Sequence, residues 1–254
     1  MLDTLEVNMQ RVFKFLMLLL VVLGLTACKK DGQGPVDNDK DYLAMVQKAR
    51  TTYSQSNSGN LFIEVINNDV VTTTEFIYNY SSNKIDTLLH EQTVGDVTTA
   101  AYVTEGVAYV NVNGEKTKGN IFDLEAVQII EESGFNGVTE ELFKTFDKSF
   151  FKALEVTEDK DGVVTFVFNK DKYVLDVEGL EGDEIEEAID RDEKIKQNIK
   201  SISVTMTYAN GEMTKLESSW VTTADVTNQI NMELKGIAAQ TITFPTDLDT
   251  YVRR

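Results

Sequence analysis

The sequence is poor in the residues on which most site chemistry depends. It holds one cysteine and one histidine in 254 residues, so an internal disulfide is excluded and a histidine- or thiolate-rich zinc centre lacks its donors. The histidine, His90, sits in the alternating run from Ile85 to Gln92. A Ser-His-Asp arrangement would have to use it as base, yet no G-x-S-x-G turn accompanies it, and it reads as a strand-surface residue. Neither G-x-G-x-x-G nor G-x-x-x-x-G-K-[ST] occurs, which removes the usual phosphate-cradling loops. Base is scarce as well: 24 Lys and Arg stand against 42 Asp and Glu, for a formal net charge of −18. Non-specific attraction to nucleic acid or to anionic head groups is therefore disfavoured. Carboxylates such as Glu140, Glu141, Glu186, Glu187, Asp190 and Asp192 are too many to single out a general acid or base. No enzyme, no metal and no cofactor is expected.

No apolar run reaches the roughly 20 residues of a membrane span. What is present is shorter and differently framed. Arg11 to Lys14 carries basic residues, an apolar stretch follows from Phe15 to Leu25, and Thr26-Ala27-Cys28 closes it. That is the three-part layout of an export signal. Asp3 and Glu6 sit oddly ahead of it, and Met9 is the expected translation start. Leu25-Thr26-Ala27-Cys28 resembles the lipobox of bacterial lipoproteins, in which small residues precede an acylated cysteine. The resemblance implies cleavage after residue 27, lipid (diacylglyceryl and palmitate) on Cys28, and a chain held at the extracytoplasmic face of a cell membrane by two or more acyl chains, enough for stable anchoring.

Residues 28–41 are polar, with Gly and Pro, and read as a flexible tether. Asp37-x-Asp39-x-Asp41 lacks the glycine that a calcium loop needs, which leaves a solvated acidic linker. Helical spacing of Tyr42, Val46, Ala49 and Tyr53, with Asp39 or Asp41 as cap, predicts a first helix. The period then becomes two. Turn signals at Asn67-Asn68-Asp69, Ser81-Ser82-Asn83, Gly95-Asp96, Glu105-Gly106 and Asn113-Gly114 predict five or six meandering antiparallel strands. Several are apolar on both faces, so a second layer must cover them. Helices are predicted around Leu124 to Ile130 and Leu142 to Phe150, and a hairpin from Leu154 to Phe168 turning at Asp159 to Gly162. A further helix is expected within Glu178 to Lys196, then strands at Ile202 to Tyr208, Leu216 to Trp220 and Val226 to Leu234.

This order of elements, with Ser203 to Gly211 leading into Lys215 to Trp220, resembles the LolA-like fold of lipoprotein carriers and lipid-carrying surface lipoproteins. The resemblance implies an α+β domain over residues 42–254. Its curved antiparallel sheet would be an incomplete β-barrel of about ten or eleven strands with helices on or plugging the concave face. One departure is the anchor: soluble carriers of that family are not acylated, so a fixed receiver, store or sensor is implied here. Aromatic and methionine side chains of one strand parity, Phe76, Tyr78, Tyr80, Tyr102, Phe166, Phe168, Met206, Tyr208 and Trp220, would line the hollow. Two readings stay open. In one, the hollow binds a lipid, an acyl chain or a lipoprotein moiety; in the other, the core is filled and the acidic outside meets an envelope protein.

Overall fold

The computed structural model of the protein describes residues 41–81, 84–120, 148–177 and 182–253. The export signal, Cys28, the tether up to residue 40 and the helix predicted around Leu124 to Ile130 lie outside them, as does the helix predicted from Leu142 except for its end. Helix α1 spans Tyr42–Gln55, and its N-cap is Asp41, whose carboxylate accepts the Ala44 amide at 2.8 Å. That bond satisfies one of the amide groups that every helix start leaves open. Tyr42, Val46, Ala49 and Tyr53 are buried, the stripe that the spacing predicts. Helices α2 (Lys148–Lys152) and α3 (Asp183–Asn198) follow.

The strands are β1 (Ser58–Asn67), β2 (Val70–Ser81), β3 (Lys84–Val94), β4 (Val97–Thr104), β5 (Val107–Val112), β6 (Glu115–Asn120), β7 (Leu154–Lys160), β8 (Val163–Phe168), β9 (Ile199–Ala209), β10 (Glu212–Thr222), β11 (Thr227–Gly236) and β12 (Val252–Arg253). They form one open sheet in the order β12-β6-β5-β4-β3-β2-β1-β11-β10-β9-β8-β7. Every pairing is antiparallel except that of β12 with β6. Among the described residues the sheet has twelve strands, beyond the predicted ten or eleven, because the chain returns at its end to add β12.

Apart from the signal at Ser81-Ser82-Asn83, whose last two residues lie outside the described ones, the hairpin turns are where the sequence signals put them. At Asn68-Asp69, Glu105-Gly106, Asn113-Gly114, Asp161-Gly162 and Asn210-Gly211 both central residues have positive φ, the requirement of the two-residue turn whose twist matches that of its strands. Gly162 is tied further: a Cβ there would lie 2.7 Å from the Tyr208 carbonyl oxygen.

Cross-strand register then fixes the faces. Ile63 faces Met232, Met232 faces Leu216, Leu216 faces Met206 and Met206 faces Val164. In the other direction Leu61 faces Phe76, Phe76 faces His90 and His90 faces Ala101. This inner face joins the buried stripe of α1 in one apolar cluster that includes Leu61, Tyr78, Leu88, Val103, Val204 and Met206.

The outer face of β4 to β6 has its own cover. After β11 the chain crosses the back of the sheet, where the Asn79 side chain accepts from the Gln240 amide and donates to the Gln240 carbonyl, both at 2.9 Å. Phe244 packs on Tyr102 with ring centroids 6.4 Å apart, and Tyr251 on Tyr109 at 5.5 Å. Asp247 pairs with Lys116. This strap explains why Ala100, Ala101, Tyr102 and Val103 are buried in succession. A double-mutant cycle of Tyr102→Ala and Phe244→Ala, read by urea denaturation, is expected to give a coupling of about 0.5–1.5 kcal/mol. Additive effects would mean that the strap is not seated on β4.

Candidate functional site

Parity brings the predicted lining residues together on the inner face, with one exception. Phe76, Tyr78, Phe166, Phe168 and Met206 are buried there, while Tyr80, Tyr208 and Trp220 are half-buried against the same cluster. Tyr102 is the correction. It faces Leu89 on β3 and Tyr109 on β5, which places it on the outer face under the strap. On β4 both parities are apolar, so alternation alone could not assign it.

The rings form two groups. On β2, Phe76 and Tyr78 have centroids 5.6 Å apart and Tyr78 and Tyr80 5.4 Å apart. The Tyr78 hydroxyl donates to the Tyr53 carbonyl of α1 at 3.1 Å. Burial raises the Tyr53, Tyr78 and Tyr80 hydroxyls above their usual pKa, so all remain protonated donors at neutral pH. The second group surrounds β8: Phe166 meets Tyr42 at 5.2 Å, and Phe168 meets Phe150 at 5.1 Å and Tyr173 at 5.3 Å. Between them, β1, β11, β10 and β9 contribute aliphatic and methionine side chains, among them Ile63, Met232, Leu216 and Met206. Part of this wall is covered by α1.

The cover is held at its start by a carboxylate that the sequence did not single out. Tyr42 and Tyr208 each donate a hydroxyl to Asp159, at 2.6 Å to Oδ2 and Oδ1 respectively. The chain thus fastens the first turn of α1 to the β7-β8 hairpin and to β9. At the other end of the helix the Tyr53 hydroxyl accepts the Gly236 amide at 2.9 Å.

His90 departs from the strand-surface expectation. It is buried on the inner face, 6.0 Å from the Phe76 ring, and its Nδ1 has no hydrogen-bond partner among the described residues. Desolvation lowers its pKa to about 4, so the ring is neutral at ordinary pH. Around it the inner face turns polar: Thr72 and Thr74 on β2 are buried, and Gln92 on β3 faces both Thr74 and, on β4, Thr99. The Gln92 amide donates to Thr74 Oγ1 at 3.4 Å. Threonine is common in strands whatever it faces, so this strip carried no separate signal in the sequence.

Among the described residues no group of histidine, cysteine and carboxylate side chains is arranged to hold a metal. No helix among them is long and apolar enough to cross a membrane. Among the described residues the carboxylates with a shifted pKa, Glu155 beside Lys172 and Asn169 and Asp247 beside Lys116, are shifted down.

No protein-family model and no curated protein sequence matches the chain. Among solved structures, it superposes on LprF from Mycobacterium bovis with a TM-score of 0.36 and 11% identity, covering 80% of this chain and 95% of that one. It also superposes on a putative outer membrane lipoprotein-sorting protein domain from Vibrio parahaemolyticus with a TM-score of 0.23 and 8% identity, covering 82% and 96%.

The buried imidazole has a consequence for stability. Because its pKa in the fold is below the unfolded value, the unfolded chain takes the proton first, and stability present above pH 6.5 is lost as the pH falls toward 4. The shift corresponds to about 3 kcal/mol. Urea titrations of the protein and of His90→Leu are expected to diverge over that window, the variant lacking this part of the acid-side loss. Parallel curves would show that His90 is solvated.

Proposed function

We propose that the protein is a membrane-anchored extracytoplasmic lipoprotein that binds an apolar ligand, a lipid, acyl chain or lipoprotein moiety, within a LolA-like half-barrel. One observation carries the reading. An open twelve-stranded sheet directs Phe76, Tyr78, Tyr80, Phe166, Phe168, Met206, Tyr208 and Trp220 to a single face. Large rings and a flexible thioether make a wall that adapts to varied acyl chains better than a tight aliphatic core. Among the described residues the sheet's two ends, β12 and β7, are not joined, which leaves the wall open in this reading. In this reading the sheet curls around its helices, α1 acts as a partial plug, and lipid on Cys28 sets the domain beside the membrane from which a ligand would come. The binding is not enzymatic and needs no cofactor.

The burial of Tyr78, Phe166 and Met206 beneath α1 favours a second reading, a filled core whose acidic exterior meets an envelope partner. Native mass spectrometry of the full-length chain from a lipid-rich host separates the two. The binding reading expects close to one non-covalent apolar molecule per chain, removed by solvent extraction and taken up again from lipid. A clean mass with no uptake before or after extraction supports the filled core.

The anchor is tested separately. Metabolic labelling with an alkynyl palmitate is expected to mark the chain and to fail on Cys28→Ala. Equal labelling of both would overturn the assignment of Cys28.

A further inference from the structure

The inner face is not uniformly apolar, and its polar part is local. Thr72, Thr74, His90, Gln92 and Thr99 adjoin one another on β2, β3 and β4, with Gln92 opposite both Thr74 and Thr99 and with His90 next along β3 and opposite Phe76. Thr72, Thr74 and His90 are buried. His90 Nδ1 is buried and unpartnered among the described residues. A buried nitrogen without a partner forfeits its hydration with nothing in return, and a leucine or phenylalanine would fill the position without that penalty.

The strip also has a definite chemical character. Threonine hydroxyls and the glutamine amide both donate and accept, and a neutral imidazole offers one donor and one acceptor. Beside the strip, from Val70 to Tyr78 of β2, Leu88 to Val94 of β3 and Val97 to Val103 of β4, the inward parity carries no acidic or basic side chain: it reads Val70, Thr72, Thr74, Phe76 and Tyr78, then Leu88, His90, Gln92 and Val94, then Val97, Thr99, Ala101 and Val103. Glu75 and Glu91 fall on the other side of the sheet, opposite each other. Among the described residues of these segments a phosphate or carboxylate placed here would find no cation, and an ammonium group no carboxylate. Either would pay an uncompensated desolvation cost. A bare hydrocarbon would leave the imidazole unsatisfied.

We infer that His90, Thr74 and Gln92 form a head-group subsite for an uncharged, hydroxyl-bearing group on an apolar chain, the chain itself lying along the ring ladder of Phe76, Tyr78 and Tyr80. The inference rests on the ligand-binding reading above and narrows it from apolar molecules in general to neutral amphiphiles. A hydroxyl suits the site because it donates to one nitrogen or oxygen while accepting from another.

His90 is the chain's one histidine, which makes the test direct. The full-length chain, without a histidine tag, is labelled with 15N in the imidazole, stripped of lipid and held in amphipol. It is then titrated with three probes of one chain length: monoolein, oleate and octadecene. Monoolein is expected to shift the ring-nitrogen resonances, and octadecene to leave them in place. His90→Leu and Thr74→Val are each expected to weaken monoolein binding about ten-fold, the size of one net hydrogen bond, while changing octadecene binding less than two-fold. Oleate is expected to bind no better than octadecene. If all three probes bind the parent chain without moving the His90 signal, or if the variants weaken all three alike, the subsite is wrong and the apolar-ligand reading survives. If none of them binds, both fall.

Discussion

Everything in this molecule depends on keeping one parity of side chains on one face across an open sheet of twelve strands. The side-chain period of a strand is two, so a slip of one residue in any pairing would send that strand's apolar set to solvent. The chain guards against slips at the hairpin ends, where asparagine, aspartate or glutamate followed by glycine or aspartate adopts the positive φ values that fix loop length. It also absorbs irregularities within strands, at Asn79/Tyr80, Val156/Glu158 and Met213/Lys215, without losing the inner face. Tyr80 and Tyr208, close to two of these shifts, still pack against the core.

Much of this was legible in the sequence because short-range chemistry decides it. The turns at Asn113-Gly114 and Asn210-Gly211, the stripe of α1 and the β7-β8 hairpin each follow from residues within a few positions of one another. What was not legible depends on a partner far away in the chain. β12 pairs with β6 through Val252 and Arg253, a contact too short to leave a pattern. The strap is irregular backbone held by Asn79, Tyr102, Tyr109 and Lys116, and nothing local marks it as a cover.

The two misplaced residues of the site share that cause. Tyr102 lies in Ala100-Ala101-Tyr102-Val103, where both parities are apolar because core lies on one side and strap on the other. His90 lies in a strand whose inward set, Leu88, His90, Gln92 and Val94, looks half polar, so its burial follows from the company of Phe76 and Ala101 and not from its own segment. In both cases the register of neighbouring strands settles what alternation leaves open. The aromatic residues of β2 and β8 were easier, since bulky rings on one parity have few other places to go.

The aromatic and methionine face is the surface proposed to receive an apolar molecule. Trp220, the chain's one tryptophan, lies half-buried on that face, and bromine on an acyl chain quenches indole fluorescence only at contact distance. Titrating the lipid-stripped full-length chain in amphipol with a dibrominated monoacylglycerol therefore reads the claim directly. Quenching is expected to saturate near one molecule per chain and to be reversed by the unbrominated analogue. Fluorescence unchanged up to saturating probe would contradict it and leave the face as closed core.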